Sequence, residues 1–119
     1  MDEIVSVDEV LFFVPDVQAA KRWYGELLGK APYFDNPEYC AFHLANASVG
    51  IHRSDPKTSP GVAGQVTYWR VPNIQRAISH FELHGCHLFR GPILGVDKVR
   101  VCQLLDPFGN AWGLVERPA

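Results

Sequence analysis

Few residues of this 119-residue chain can do chemistry, and they are scattered. The densest group is His80-Phe-Glu-Leu-His84-Gly-Cys-His87. His80 and His84 are four apart and share a helix face, so two imidazoles could meet one divalent ion. Glu82 stands midway between them, however, which is not the H-E-x-x-H spacing of zinc proteases. The same segment reads equally well as a solvent-facing helix end, where imidazoles sit comfortably near the negative dipole terminus. The cysteines Cys40, Cys86 and Cys102 are odd in number and form no C-x-x-C pair. The acidic start Met1-Asp2-Glu3 has none of the basic-then-apolar order of a signal peptide. Together these predict reduced, buried thiols in a cytoplasmic protein. No Gly-flanked serine marks a nucleophile elbow, and no nucleophile–base pair is visible.

Composition narrows the partners. The net charge of −2 and pI near 6.2 give no electrostatic reason to expect nucleic acid or an anionic membrane. No apolar run approaches the ~20 residues of a membrane helix. With 47% hydrophobic and 20% charged residues the chain has the composition of one globular domain. Three tryptophans and seven phenylalanines in so small a domain suggest a homodimer that covers some of them.

The elements that must position any site come from an internal repeat. Val10–Ala20 lies over Thr67–Ala77 at a constant offset of 57 residues. Val14/Val71, Pro15/Pro72, Gln18/Gln75 and Ala20/Ala77 are identical, and Asp16/Asn73 is conservative. Each copy predicts a strand (Val10–Val14, Val66–Val71) ended by proline, then a helix capped by Asp16 or Asn73. The helices are expected over about 16–28 and 73–84, with Gly29 and Gly85 at left-handed caps. Short strands follow: about 31–34, 39–44 and 48–53 in the first half, with Ala45-Asn46 turning the last pair. In the second half they fall at about 87–89, 98–105 and 111–116, the last two joined by Asp106-Pro-Phe-Gly-Asn110. Each half is thus β-α-β-β-β. A single helix covers one face of a small sheet, so the other face must meet something.

The two β-α-β-β-β modules, the Val-Pro-Asp-Val strand end, Trp23-Tyr24 before Leu27-Leu28-Gly29, and the Asp106–Asn110 hairpin together resemble the vicinal oxygen chelate superfamily. That group contains glyoxalase I, bleomycin-resistance proteins, fosfomycin-resistance enzymes and extradiol dioxygenases. The resemblance runs from about Val7 to Glu116. It implies an α+β fold in which two βαβββ modules form a curved mixed sheet with a central cup. The whole chain, 1–119, would be one domain: module one about 5–53, linker 54–61, module two about 62–117. Enzymes of the group hold a divalent metal from the first strand of each module and from a place three residues past the hairpin. Those places fall here on Glu9, Val66 and Gly113. Valine and glycine carry no donor atom, and a metal wants at least three. Glu9 and His52 are the only weak candidates left, so no cofactor is expected and a divalent ion is not favoured.

Strand alternation then lists the cup lining. With Glu9 facing in, so do Leu11 and Phe13; with Val66 in, so do Tyr68 and Arg70, and on the last strand Gly113. Phe12, Trp69 and Trp112 then point toward the helices or another subunit. An inward arginine must be paired or bound to something. Arg70 is therefore expected to pair with Glu9, to reach solvent at the rim, or to clamp an acidic ligand beside Tyr68, with Gly113 leaving room. The expected ligand-binding set is Phe13, His52, Tyr68, Arg70 and Gly113, with Glu9 as a catalytic candidate. Three functions fit. The first is metal-independent binding of a small aromatic or anionic molecule. The second is a lyase or isomerase using Glu9 as general base. The third is sequestration of a drug.

Overall fold

The computed structural model describes residues 1–119. The chain divides into two compact units, Met1–Pro60 and Gly61–Ala119. The first contains β1 (Glu9–Val14), α1 (Val17–Leu28), β2 (Phe34–Asn36), β3 (Tyr39–Leu44) and β4 (Ala47–Arg53). The second contains β5 (Tyr68–Arg70), α2 (Ile74–Leu83), β6 (His87–Leu94), β7 (Arg100–Leu105) and β8 (Ala111–Glu116). Ladder hydrogen bonds make two four-stranded mixed sheets of matching topology, β1-β4-β3-β2 and β5-β8-β7-β6. In each, the first strand runs parallel to the last and the others are antiparallel.

The repeat works at the level of local chemistry. Asp16 accepts from the Ala19 N–H at 3.1 Å and Asn73 from the Arg76 N–H at 3.0 Å, each satisfying an orphan donor of its helix. Gly29 takes φ +67° at the end of α1 and Gly85 φ +92° after α2, a region where a side chain would be strained. One face of each helix then packs on its own sheet. Val17, Ala20, Tyr24 and Leu27 of α1 are buried with Cys40, Phe42, Val49 and Ile51. Ile74, Ile78 and Phe81 of α2 are buried with Cys102, Leu104, Trp112 and Leu114. Phe12 stacks on Tyr24 at 5.9 Å, and Trp112 lies 5.4 Å from Phe81 and 6.2 Å from Trp69. Trp112 is core, and Phe12 and Trp69 are half-buried on the helix side of their sheets, the side alternation predicts. All three cysteines are free and buried.

Boundaries differ from the sequence reading where turns compete with strands. The second strand starts at Phe34, not Ala31, because Asn36 accepts from the N–H groups of Glu38 and Tyr39 and pulls the hairpin toward its own turn. Only Tyr68–Arg70 of Val66–Val71 forms a regular strand. The edge strand β6 runs to Leu94, well beyond Phe89, and absorbs Gly91-Pro92 through register shifts against β7. A 3₁₀ turn at Val96–Lys98 delays β7 to Arg100. Neither helix is long and apolar enough to cross a membrane.

Candidate functional site

The face of the first sheet away from α1 gathers the polar residues. The register places Phe13 beside His52 and His52 beside Tyr39; one row on come Leu11, Gly50 and Ala41, then Glu9, Ser48 and His43. The Tyr39 hydroxyl crosses the middle row and donates to Oε2 of Glu9. Burial first, then this bond, push the Tyr39 hydroxyl well above its ordinary ionisation range. A neutral phenol beside a carboxylate is thereby favoured.

Glycine at position 50 is what lets Glu9 lie there. A Cβ on Gly50 would collide with the Glu9 carboxylate and come within 2.8 Å of Leu11 Cδ1. His52 closes the far end, its ring 5.8 Å from Phe13 and 6.1 Å from Tyr39. Its Nδ1 lies 2.8 Å from the Arg53 carbonyl oxygen, which can only accept. The neutral ring therefore carries its proton on Nδ1 and presents the Nε2 lone pair. Phe34 packs 5.7 Å from Tyr39 and remains 48% exposed, with Leu11 at 38%, so solvent reaches this face. Beyond it Tyr33 stacks on His43 at 3.9 Å and bonds Ser48 at 2.9 Å.

The corresponding face of the second sheet is filled differently. Tyr68 pairs with Gly113, as Leu11 does with Gly50. A Cβ on Gly113 would lie 2.8 Å from the Thr67 carbonyl oxygen and 2.8–2.9 Å from the Tyr68 ring. The tyrosine thus lies over the glycine and accepts from Gln103 Nε2 at 2.8 Å. The room expected at Gly113 is taken by this ring. Arg70 is exposed, so the desolvation argument for an obligatory partner does not apply to it.

The sequence-derived set divides accordingly. Glu9, Phe13 and His52 share one face of the first unit, while Tyr68, Arg70 and Gly113 belong to the second. Tyr39, the residue that holds Glu9, is absent from the expected set. Its signal was present: Ala45-Asn46 is a two-residue turn that pairs Leu44 with Ala47, and counting back pairs Tyr39 with His52.

The donor set at the implied metal positions does not fit a metal. Val66 and Gly113 have no ligand atoms, Glu9 is engaged with Tyr39, and no group of three His, Cys, Asp or Glu side chains is arranged to hold an ion. At the end of α2, His80 is exposed, its ring lies 4.6 Å from that of His84, and His84 Nδ1 is 2.9 Å from the His80 carbonyl.

No sequence among the curated proteins matches the chain. Among solved structures it is similar to a glyoxalase-related enzyme from Fulvimarina pelagi, with TM-score 0.77 and 21% identity over 97% of this chain and 90% of that one. It is also similar to a glyoxalase/bleomycin resistance protein from Catenulispora acidiphila, with TM-score 0.71 and 22% identity over 95% of this chain and 100% of that one. A glyoxalase/bleomycin resistance protein/dioxygenase family enzyme from Burkholderia phytofirmans gives TM-score 0.75 at 14% identity, over 94% and 98%. At these identities the likeness speaks for the fold. The sequence model of the glyoxalase/bleomycin resistance protein/dioxygenase superfamily matches residues 6–114, and the chain belongs to that superfamily.

Proposed function

We propose that the protein binds a small organic molecule on the Glu9 face of the first sheet, without the superfamily's metal. The observation that carries this reading is the carboxylate of Glu9, held over Gly50 by Tyr39 and flanked by Phe13, Phe34 and His52. A few polar atoms fixed among aromatic rings is the composition of a ligand site, the rings supplying area and the polar atoms orientation. Oε2 is committed to Tyr39, which leaves Oε1 to meet the ligand. Val66 and Gly113 support the metal-free part of the reading, because neither can complete a coordination sphere.

A second reading keeps the same residues and adds chemistry. Tyr39 donates to Glu9, so the pair could pass a proton, with Glu9 as the general base of a lyase or isomerase and the phenol returning the proton. Sequestration of a drug, as the name of the Catenulispora relative suggests, would need only the binding.

A thermal-shift screen of small aromatic acids, amines and glycopeptide drugs, run in chelator and again with divalent ions, tests the proposal. The expected result is a stabilising ligand whose effect is unchanged by chelator and lost in Glu9→Gln. Hits that all require an added metal would overturn the metal-free reading.

A further inference from the structure

We propose that the Glu9 face of the first sheet selects planar organic cations over carboxylates; this inference rests on the binding reading above. Between Glu9 and His52 the polar atoms this face presents are acceptors, while the hydroxyls of Ser48 and Tyr33 bond each other at its opposite edge, where His43 stacks on Tyr33. The Glu9 carboxylate has no proton to give. Tyr39 spends its hydroxyl proton on Glu9 and turns only oxygen lone pairs outward. His52 directs Nδ1–H at the Arg53 carbonyl, so its neutral ring offers Nε2 as a further acceptor.

The cations bordering the sheet are committed elsewhere. Lys21 pairs with Asp35 at 2.8 Å, Arg53 with Glu38 at 2.9 Å, and Lys30 donates to the His43 carbonyl at 2.7 Å. A ligand carboxylate would therefore bring lone pairs to lone pairs and a negative charge to Glu9. An amidinium or protonated aromatic amine brings the missing donors and the opposite charge. The rings agree with the polar atoms: Phe13, Tyr39 and Phe34 offer π-faces, which attract cations and stack planar groups. The anionic ligand implied by an inward Arg70 has no counterpart on this face.

The test is a series of one shape and three charges: benzamidinium, benzamide and benzoate. Each is titrated into the full chain at pH 8 with chelator, following the aromatic NMR signals of Tyr39 and His52. Benzamidinium is expected to shift those signals and bind at least ~10-fold more tightly than benzoate, a difference of about 1.4 kcal/mol. Glu9→Gln, close to isosteric, should erase the preference while the remaining spectrum stays folded. Tyr39→Phe, which frees the carboxylate but removes its orienting donor, should reduce the preference. Three results would overturn the inference: benzoate binding as tightly, a preference that survives Glu9→Gln, or no shift with any of the three. If benzoate binds at this face, the small-molecule reading stands and only the cation selectivity falls. If the wider screen also finds no ligand here, both fall.

Discussion

The two sheets place a glycine at the same point and use it differently. In the first, Gly50 sits beside Leu11 and admits the carboxylate of Glu9; in the second, Gly113 sits beside Tyr68 and admits that residue's own ring. One half therefore exposes a charged acceptor among aromatics, while the other closes the space with a tyrosine tied to Gln103. The backbone frame is duplicated and the chemistry is not. The two ends also differ in how their last hairpins are held. Ala45-Asn46 turns the first with Ala45 at φ +52°. The second depends on Asp106, 2% exposed, which accepts from the N–H groups of Phe108 and Asn110 at 2.9 and 3.0 Å and from Trp112 Nε1 at 3.2 Å.

That contrast gives the largest expected effect. Asp106→Ala leaves buried donors unanswered and should cost about 3–5 kcal/mol, since bonds to a charged group contribute ~1.5–3 kcal/mol each. Chemical denaturation would measure it. Asn46→Ala in the other hairpin should cost under ~1 kcal/mol. Similar losses at the two turns would mean Asp106 is not what holds the second.

The glycines come next. Gly113→Ala meets a backbone oxygen that cannot move cheaply and should cost ~1–3 kcal/mol. Gly50→Ala meets the ends of two flexible side chains, so its stability loss should be smaller. Its main effect should be to push Glu9 off Tyr39 and weaken ligand binding. The reverse order of stabilities would break the comparison.

Tyr39 supplies a pH signature. Ultraviolet titration should show a tyrosine that resists ionisation above the ordinary value of 10.0 and disappears in Tyr39→Phe. Glu9→Gln should lower its ionisation only in part, because burial, the largest cause, remains. The folded protein holds this proton more tightly than the unfolded chain does. Its contribution to stability is therefore complete below pH 10 and is lost as pH rises past it. The smallest effect is expected for Arg70→Met, within ~0.5 kcal/mol of the parent, because the side chain is exposed. A loss of several degrees in Tm would restore the structural ion pair.

Much of this was legible in the chain. The repeat fixes both helices within a residue of their observed ends, because proline, the Asp16 and Asn73 caps and an apolar helical stripe agree. Alternation correctly sends Phe12 and Trp112 inward. It leaves Arg70 open between an ion pair, a clamp and the solvated rim, since period-two reasoning gives the face of a residue but not its depth; in a three-residue strand this last side chain is exposed. It is silent on Tyr39, whose role depends on the length of its side chain across a row of small residues, Gly50 and Ala41. Gly113 reads as empty space because a missing side chain does not say which neighbour fills the gap.

On the proposed reading Glu9 is a hydrogen-bonded ligand anchor and not the remnant of a metal site. Calorimetric titration of chelator-treated protein with nickel, zinc and manganese, in the parent and in Glu9→Gln, tests it most directly. No binding that depends on Glu9 is expected, whatever weak uptake the His80–His84 pair contributes to both proteins. One equivalent of metal bound at micromolar affinity or tighter by the parent, and lost in Glu9→Gln, would contradict it.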